Sequence, residues 1–173
     1  FYYFFITHKQ SGPSSIAKRY ALASWNDQKT AASLCIYDWE AYLLTNYDDD
    51  AEKFFEKQSD YYDADISSWS QYYKAVDANL KESLEDEYGK YKITAEVTKS
   101  KDMSVKKLLE ENASHIKELE SHIAFDADTI ADVKLVTVKL KLAGEDDIDR
   151  TKMAVYMVKA GGRWGVLDWD YVD

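Results

Sequence analysis

The spacing of the apolar residues changes once along the chain, and that change limits the fold more than any other feature. From Trp69 to Tyr88 the apolar side chains of Trp69, Tyr72, Tyr73, Val76, Leu80, Leu84 and Tyr88 recur three and four positions apart, which gathers them on one side of a helix. Beyond Gly89 the interval drops to two. Tyr91, Ile93, Ala95 and Val97 alternate with Lys92, Thr94, Glu96 and Thr98, as a strand with one wet face requires. Helical spacing fills the first half of the chain and strand spacing its end, so the chain reads as α+β: N-terminal helices packed on a twisted antiparallel sheet.

Turn and cap residues punctuate this pattern. Pro13, Ser14 and Ser15 open a first helix over about residues 14 to 26, and Asp27 can cap a second that carries Ala31, Leu34, Cys35, Asp38 and Trp39 to about Tyr42. Residues 46 to 50 form a polar break, Asp50 and Glu52 start a short third helix through Phe54 and Phe55, and residues 65 to 68 cap the long helix from Trp69. A strand is expected over 90 to 99. Ser104 then caps an amphipathic helix to Ile123. Three strands close the chain: 132 to 142, then 152 to 159 after the turn Gly144-Glu145-Asp146-Asp147, then 163 to 172 after Gly161-Gly162. They form a meander, and the strand Met153 to Val158, apolar on both faces, should be central.

Composition narrows the chemistry. A net charge of −10 on 173 residues repels nucleic-acid phosphates and anionic lipid headgroups, so nucleic acid is not expected as a partner. Cys35 is the sole cysteine, which excludes an internal disulfide and a multi-cysteine zinc site. It sits in an apolar run and reads as a small buried hydrophobe. The opening Phe1-Tyr2-Tyr3-Phe4-Phe5-Ile6 is too short to span a bilayer, which takes about 20 residues, but aromatic residues do mark the membrane boundary. It reads as the outer end of a membrane tether lying upstream of residue 1, or as a segment packed on the domain. Residues 1–12 are thus a membrane-proximal remnant or linker, and 14–173 a single domain.

Helices first, a strand, a helix and a meander ending in Val158-Lys159-Ala160-Gly161-Gly162-Arg163-Trp164 resemble the nuclear-transport-factor-2-like superfamily, a cystatin-like α+β fold in which a cone of helices covers a curved sheet. The terminal hairpin is similar to that of secreted or membrane-anchored members from Gram-positive bacteria. So is the middle segment, where Met103-Ser104 and a Leu/Glu/Lys helix precede Asp128-Thr129-Ile130-Ala131-Asp132. The resemblance implies an extracytoplasmic protein anchored to the cell membrane. Isomerases of this fold pair an Asp base with Tyr donors in an apolar cavity, a role for which Tyr20 and Asp38 are the candidates; the alternative is a buried Tyr and a helix-terminal carboxylate. Cavities of this fold open where helices meet the sheet, so a ligand is expected at the mouth between the first helices and the meander, on Tyr20, Trp39, Tyr156, Trp164 and Trp169.

Other constellations read more plainly. Glu111, His115, Glu118 and His122 lie four, three and four apart on one helical stripe, but ligands from a second element are lacking, so a solvated stripe is expected and no metal. The acidic groups at 48–50, 60–65, 126–128 and 145–149 lack the spaced oxygens and central glycine of a calcium loop. No phosphate loop, nucleophile elbow or dinucleotide fingerprint occurs, and no cofactor is expected. The expected function is a non-enzymatic extracytoplasmic module that binds a protein partner or a small apolar ligand. The alternatives are a small-molecule isomerase or hydrolase of the same fold and a structural homodimer formed through the sheet.

Overall fold

The computed structural model of the chain describes residues 12–172; the expectations for Phe1 to Ile6 lie outside the described residues. Seven α-helices and one open four-stranded antiparallel sheet are present among them, with five helices before the first strand and two between the first and second. Helix α1 (Pro13–Asn26) has proline at its first position, where a missing N–H costs nothing, and buries Ile16, Ala17, Tyr20, Ala21 and Ala23. The Asp27 carboxylate accepts from Thr30 N at 3.2 Å and starts α2 (Gln28–Ser33).

The second helix does not run on to Tyr42. It stops at Leu34, and residues 34–36 lie beside the last strand: Ile36 N donates to Val166 O at 2.8 Å and Val166 N donates to Leu34 O at 2.8 Å. Hydrogen bonds to a distant strand of the same chain thus replace those a continued helix would make. Asp38 does not sit on a helix side but caps α3 (Trp39–Leu44), accepting from Ala41 N at 3.0 Å. A short 3₁₀ turn at Thr45–Tyr47 leads to α4 (Ala51–Tyr62), longer than expected, which Asp50 caps through Glu52 N and Lys53 N. Helix α5 (Trp69–Tyr88) matches expectation, from the Ser68 cap to Gly89 at φ 69°.

Strand β1 (Lys92–Asp102) runs into α6 (Val105–Glu111) and α7 (Ala113–His122), one expected helix divided at Asn112. Asn112 departs from helical backbone geometry at φ −118°, and its buried side-chain amide donates to the Leu108 carbonyl at 3.2 Å beside its own backbone N–H. A 3₁₀ turn at Ala127–Thr129 precedes β2 (Ile130–Ala143), β3 (Ile148–Ala160) and β4 (Arg163–Val172). The spatial order is β1-β2-β3-β4, so β3 is an inner strand, as its two apolar faces predict.

Alternation divides the core between the two faces of the sheet. Val136, Val138 and Leu140 of β2, Met153, Val155 and Met157 of β3, and Val166 of β4 meet α1 on the first face. Val133, Val158 and Leu167 meet Leu108, Ile116 and Leu119 of α6 and α7 on the second. A third cluster joins Phe54 of α4 to Ile66, Tyr72 and Tyr73. Trp39 packs on both the first and third clusters and Tyr37 on both the first and second, which makes the apolar interior continuous.

Candidate functional site

A groove of about 420 Å³ opens on the first face, where the ends of α1 and α5 meet the sheet. Its walls are apolar: Trp25 from the last turn of α1, Leu84 and Tyr88 from α5, Ile93 from β1, Leu140 and Leu142 from β2, and Tyr171 from β4. Glu87, Asp149, Arg150 and Thr151 supply the polar lining. Two glycines build this corner. Gly89 turns the chain out of α5 in the left-handed region, and Gly144 lets the β2–β3 turn lie against that helix end, since a Cβ there would meet Tyr88 O at 2.5 Å. Glu145 N donates to the same carbonyl at 2.9 Å.

Within the groove the Tyr88 hydroxyl donates to Asp149. That bond to a carboxylate, with burial second, raises the Tyr88 phenol above its ordinary range and keeps it a donor. Among the described residues Trp25 Nε1 is the buried side-chain nitrogen without a hydrogen-bond partner. The Tyr171 hydroxyl is the group it faces, and burial raises that phenol while the indole lowers it.

A second, more open groove of about 630 Å³ lies between α2, α3 and α5. Trp39 stacks on Tyr73 at 6.1 Å and Trp69 lies 6.2 Å beyond, at 28° and 31° to it, so three near-parallel rings form one wall. Ala32, Cys35, Ile36 and Tyr37 add further apolar lining, and Lys29, Ser33, Asp38, Glu40 and Arg163 supply polar and charged groups. Tyr73 donates to Glu40, and burial, followed by that bond, drives its phenol upward. Arg163 Nη2 donates to Cys35 O at 3.3 Å. Cys35 itself is 3% exposed, its thiol pushed up to about 12 by burial, which leaves a neutral core residue at physiological pH.

The five rings expected to converge are distributed over several sites. Tyr20 is buried in the first-face core and touches Trp169, which is 39% exposed and packs edge-on against Tyr171 at 5.0 Å. Trp164 joins that same core, Trp39 lines the second groove, and Tyr156 lies on the opposite face, its hydroxyl 3.3 Å from Glu111. None of the five lines the 420 Å³ groove, although that groove does open between the first helix and the meander. Tyr20 and Asp38 share no hydrogen bond among the described residues. Tyr20 is held neutral chiefly by burial, and Asp38 is occupied as a helix cap.

The helical stripe of acids and histidines engages the protein itself. His115 Nε2 lies 2.9 Å from Leu167 O, its ring edge-on to Tyr37 and Tyr42 at 5.8 Å each. Glu118 takes a 3.5 Å bond from Tyr42 and Glu111 pairs with Lys107 at 3.6 Å. Sequence reasoning missed Trp25, Tyr88 and Tyr171. The available signal was the coincidence of Gly89 after the longest helix and Gly144 in the hairpin turn, both needed where two backbones meet.

The chain is an α+β protein whose helices largely precede an open antiparallel sheet. It matches no protein-family model, no curated protein and no solved structure.

Proposed function

We propose that the chain is a non-enzymatic, extracytoplasmic binding module of the nuclear-transport-factor-2-like type, and that it holds a small neutral apolar molecule in the groove between α1, α5 and the sheet. The observation that carries this reading is the groove's make-up: about 420 Å³, walled by seven apolar or aromatic side chains. That is the size and character of sites that bury small ligands. A neutral rather than anionic occupant fits because Glu87 and Asp149 line the groove, while the strand register turns the Arg150 side chain to the other face of the sheet. The family type and the extracytoplasmic placement rest on the terminal hairpin and the order of elements. Among the described residues no helix is long and apolar enough to cross a membrane.

The test is titration with Nile red, a neutral apolar dye that brightens when sheltered from water. Saturable binding that is lost in Thr151→Trp, a substitution that fills the groove from an incompletely buried position on β3, supports the reading. Absence of saturable binding, or equal binding by the filled variant, refutes it.

The isomerase or hydrolase reading has one observation in its favour, the Tyr88–Asp149 hydrogen bond inside an apolar groove. Asp149 would accept the substrate proton there and Tyr88 would donate to the developing oxyanion. Turnover abolished by Asp149→Asn would favour it over simple binding.

A further inference from the structure

We propose that the uncovered half of the sheet's second face docks on an anionic phospholipid membrane. Helices α6 and α7 cover this face around Val133, Tyr156, Val158 and Leu167. Toward the β2–β3 turn the same face carries cations at consecutive positions. In the strand register Lys139 stands directly opposite Lys152 and Lys141 directly opposite Arg150. Opposed residues have Cβ atoms about 5 Å apart, and the two rows are separated by two residues of strand, about 7 Å. Like charges placed face to face repel one another, and none of these four forms an ion pair among the described residues. Four mutually repelling, unpaired cations in a compact block call for an external anion with several charges.

The rest of the face decides what kind of anion. Ile148 precedes Arg150 by two residues and Val172 stands opposite Lys152, so both project on this face, where they are 46% and 40% exposed. A soluble phosphate polymer has no use for exposed aliphatic groups, whereas a bilayer accepts them below the headgroups while lysine and arginine meet the phosphates. Glu96 opposite Lys139, Asp170 one row away and the acidic turn at 145–147 oppose the attraction without interrupting the block. A second copy of the chain is a poor occupant, because a twofold contact through this face would set four cations against four. The net charge of −10 argues against an anionic partner only if charge is spread evenly, and at physiological salt fields beyond about 8 Å are largely screened.

The test is co-sedimentation of the full 173-residue chain with vesicles of phosphatidylcholine alone or with phosphatidylglycerol added; a contribution from Phe1 to Ile6 is common to both. The expected result is binding that needs phosphatidylglycerol, disappears at high salt and weakens about fivefold for each cation removed in the series leading to Lys139→Gln/Lys141→Gln/Arg150→Gln/Lys152→Gln. All four positions are at least partly exposed, and circular dichroism verifies that the variants fold. Ile148→Ser/Val172→Ser should weaken vesicle binding as well. The proposal is overturned if the parent ignores phosphatidylglycerol, if the fully substituted variant binds as well as the parent, or if the chain captures inorganic polyphosphate or single-stranded DNA but no vesicles.

Discussion

Gly165→Ala should destabilise the protein far more than one added methyl group suggests. Gly165 precedes the residue of β4 that pairs with the 34–36 segment, and a Cβ at this position would lie 2.8 Å from Ile36 Cα and 2.9 Å from Ile36 N. These are backbone atoms that cannot swing aside, so the 34–36 segment must retreat. The two 2.8 Å hydrogen bonds that join it to Val166 are then lost or stretched, at about 0.5 to 1.5 kcal/mol each. Overpacking adds about 1 to 3 kcal/mol. The φ of Gly165 is not in the left-handed region, so alanine adopts this backbone and returns about 0.4 to 1 kcal/mol through a less flexible unfolded chain. The net loss is about 1 to 6 kcal/mol, which lowers the melting midpoint of a domain of this size by about 2 to 20 °C. Thermal melts and amide exchange at Ile36 and Val166 measure it. A midpoint within 2 °C of the parent, with both amides still protected, would refute the close-approach argument.

Two further perturbations concern pH. Burial, and after it the charge of Asp27, raises the Asp77 carboxyl, which accepts from Gln28 N at 3.1 Å. A raised folded pKa gives stability that is complete below the unfolded value and lost as pH rises through the folded one. Asp77→Asn keeps the acceptor and removes that loss, so its unfolding midpoint in urea should equal or exceed the parent's at pH 7, with the advantage vanishing near pH 3. At the alkaline end, burial lifts Cys35 from 9.0 and Tyr72 from 10.0, each to about 12. Their contributions are intact below the unfolded values and decline by about 1.4 kcal/mol per pH unit for each group as pH climbs toward 12. Urea unfolding between pH 8 and 11 should show stability falling from about pH 9. A flat profile would mean that these groups titrate as freely as in the unfolded chain.

Local signals located most elements because each rested on residues near in sequence. Ser68, Gly89 and the stripe from Trp69 fix α5 without reference to anything distant. The two-residue alternation likewise identified β1 and β2, and the turns at Gly144–Asp147 and Gly161–Gly162 marked β3 and β4, although β3 starts at Ile148 rather than 152 because the hairpin continues pairing up to Ala143. The errors arose where a distant partner intervenes. Nothing in residues 27–42 announces that Leu34 and Ile36 bond to Val166, more than 120 positions away, and the spacing of Ala31, Leu34 and Cys35 imitates a helix. The residues of the groove were not legible, because Trp25, Tyr88 and Tyr171 come together only through the docking of the Gly144 turn on α5 and the strand register. Lys139 and Lys141 are plain in the sequence as wet-face residues, whereas Arg150 joins a strand only because β3 begins at Ile148. That these residues and Lys152 oppose one another directly depends on register alone.

The most direct test of the groove as a binding site uses its own reporter. Trp25 lines the groove and its indole N–H has no hydrogen-bond partner among the described residues, so its ¹⁵N–¹H resonance, assigned by comparison with Trp25→Phe, should respond to anything that enters. Titration with 2-decanone, a small neutral apolar ketone, should move this resonance saturably while those of Trp39 and Trp69 in the second groove stay in place. An unchanged Trp25 resonance at ligand concentrations that saturate Nile red displacement, or equal movement of all three, would contradict the account.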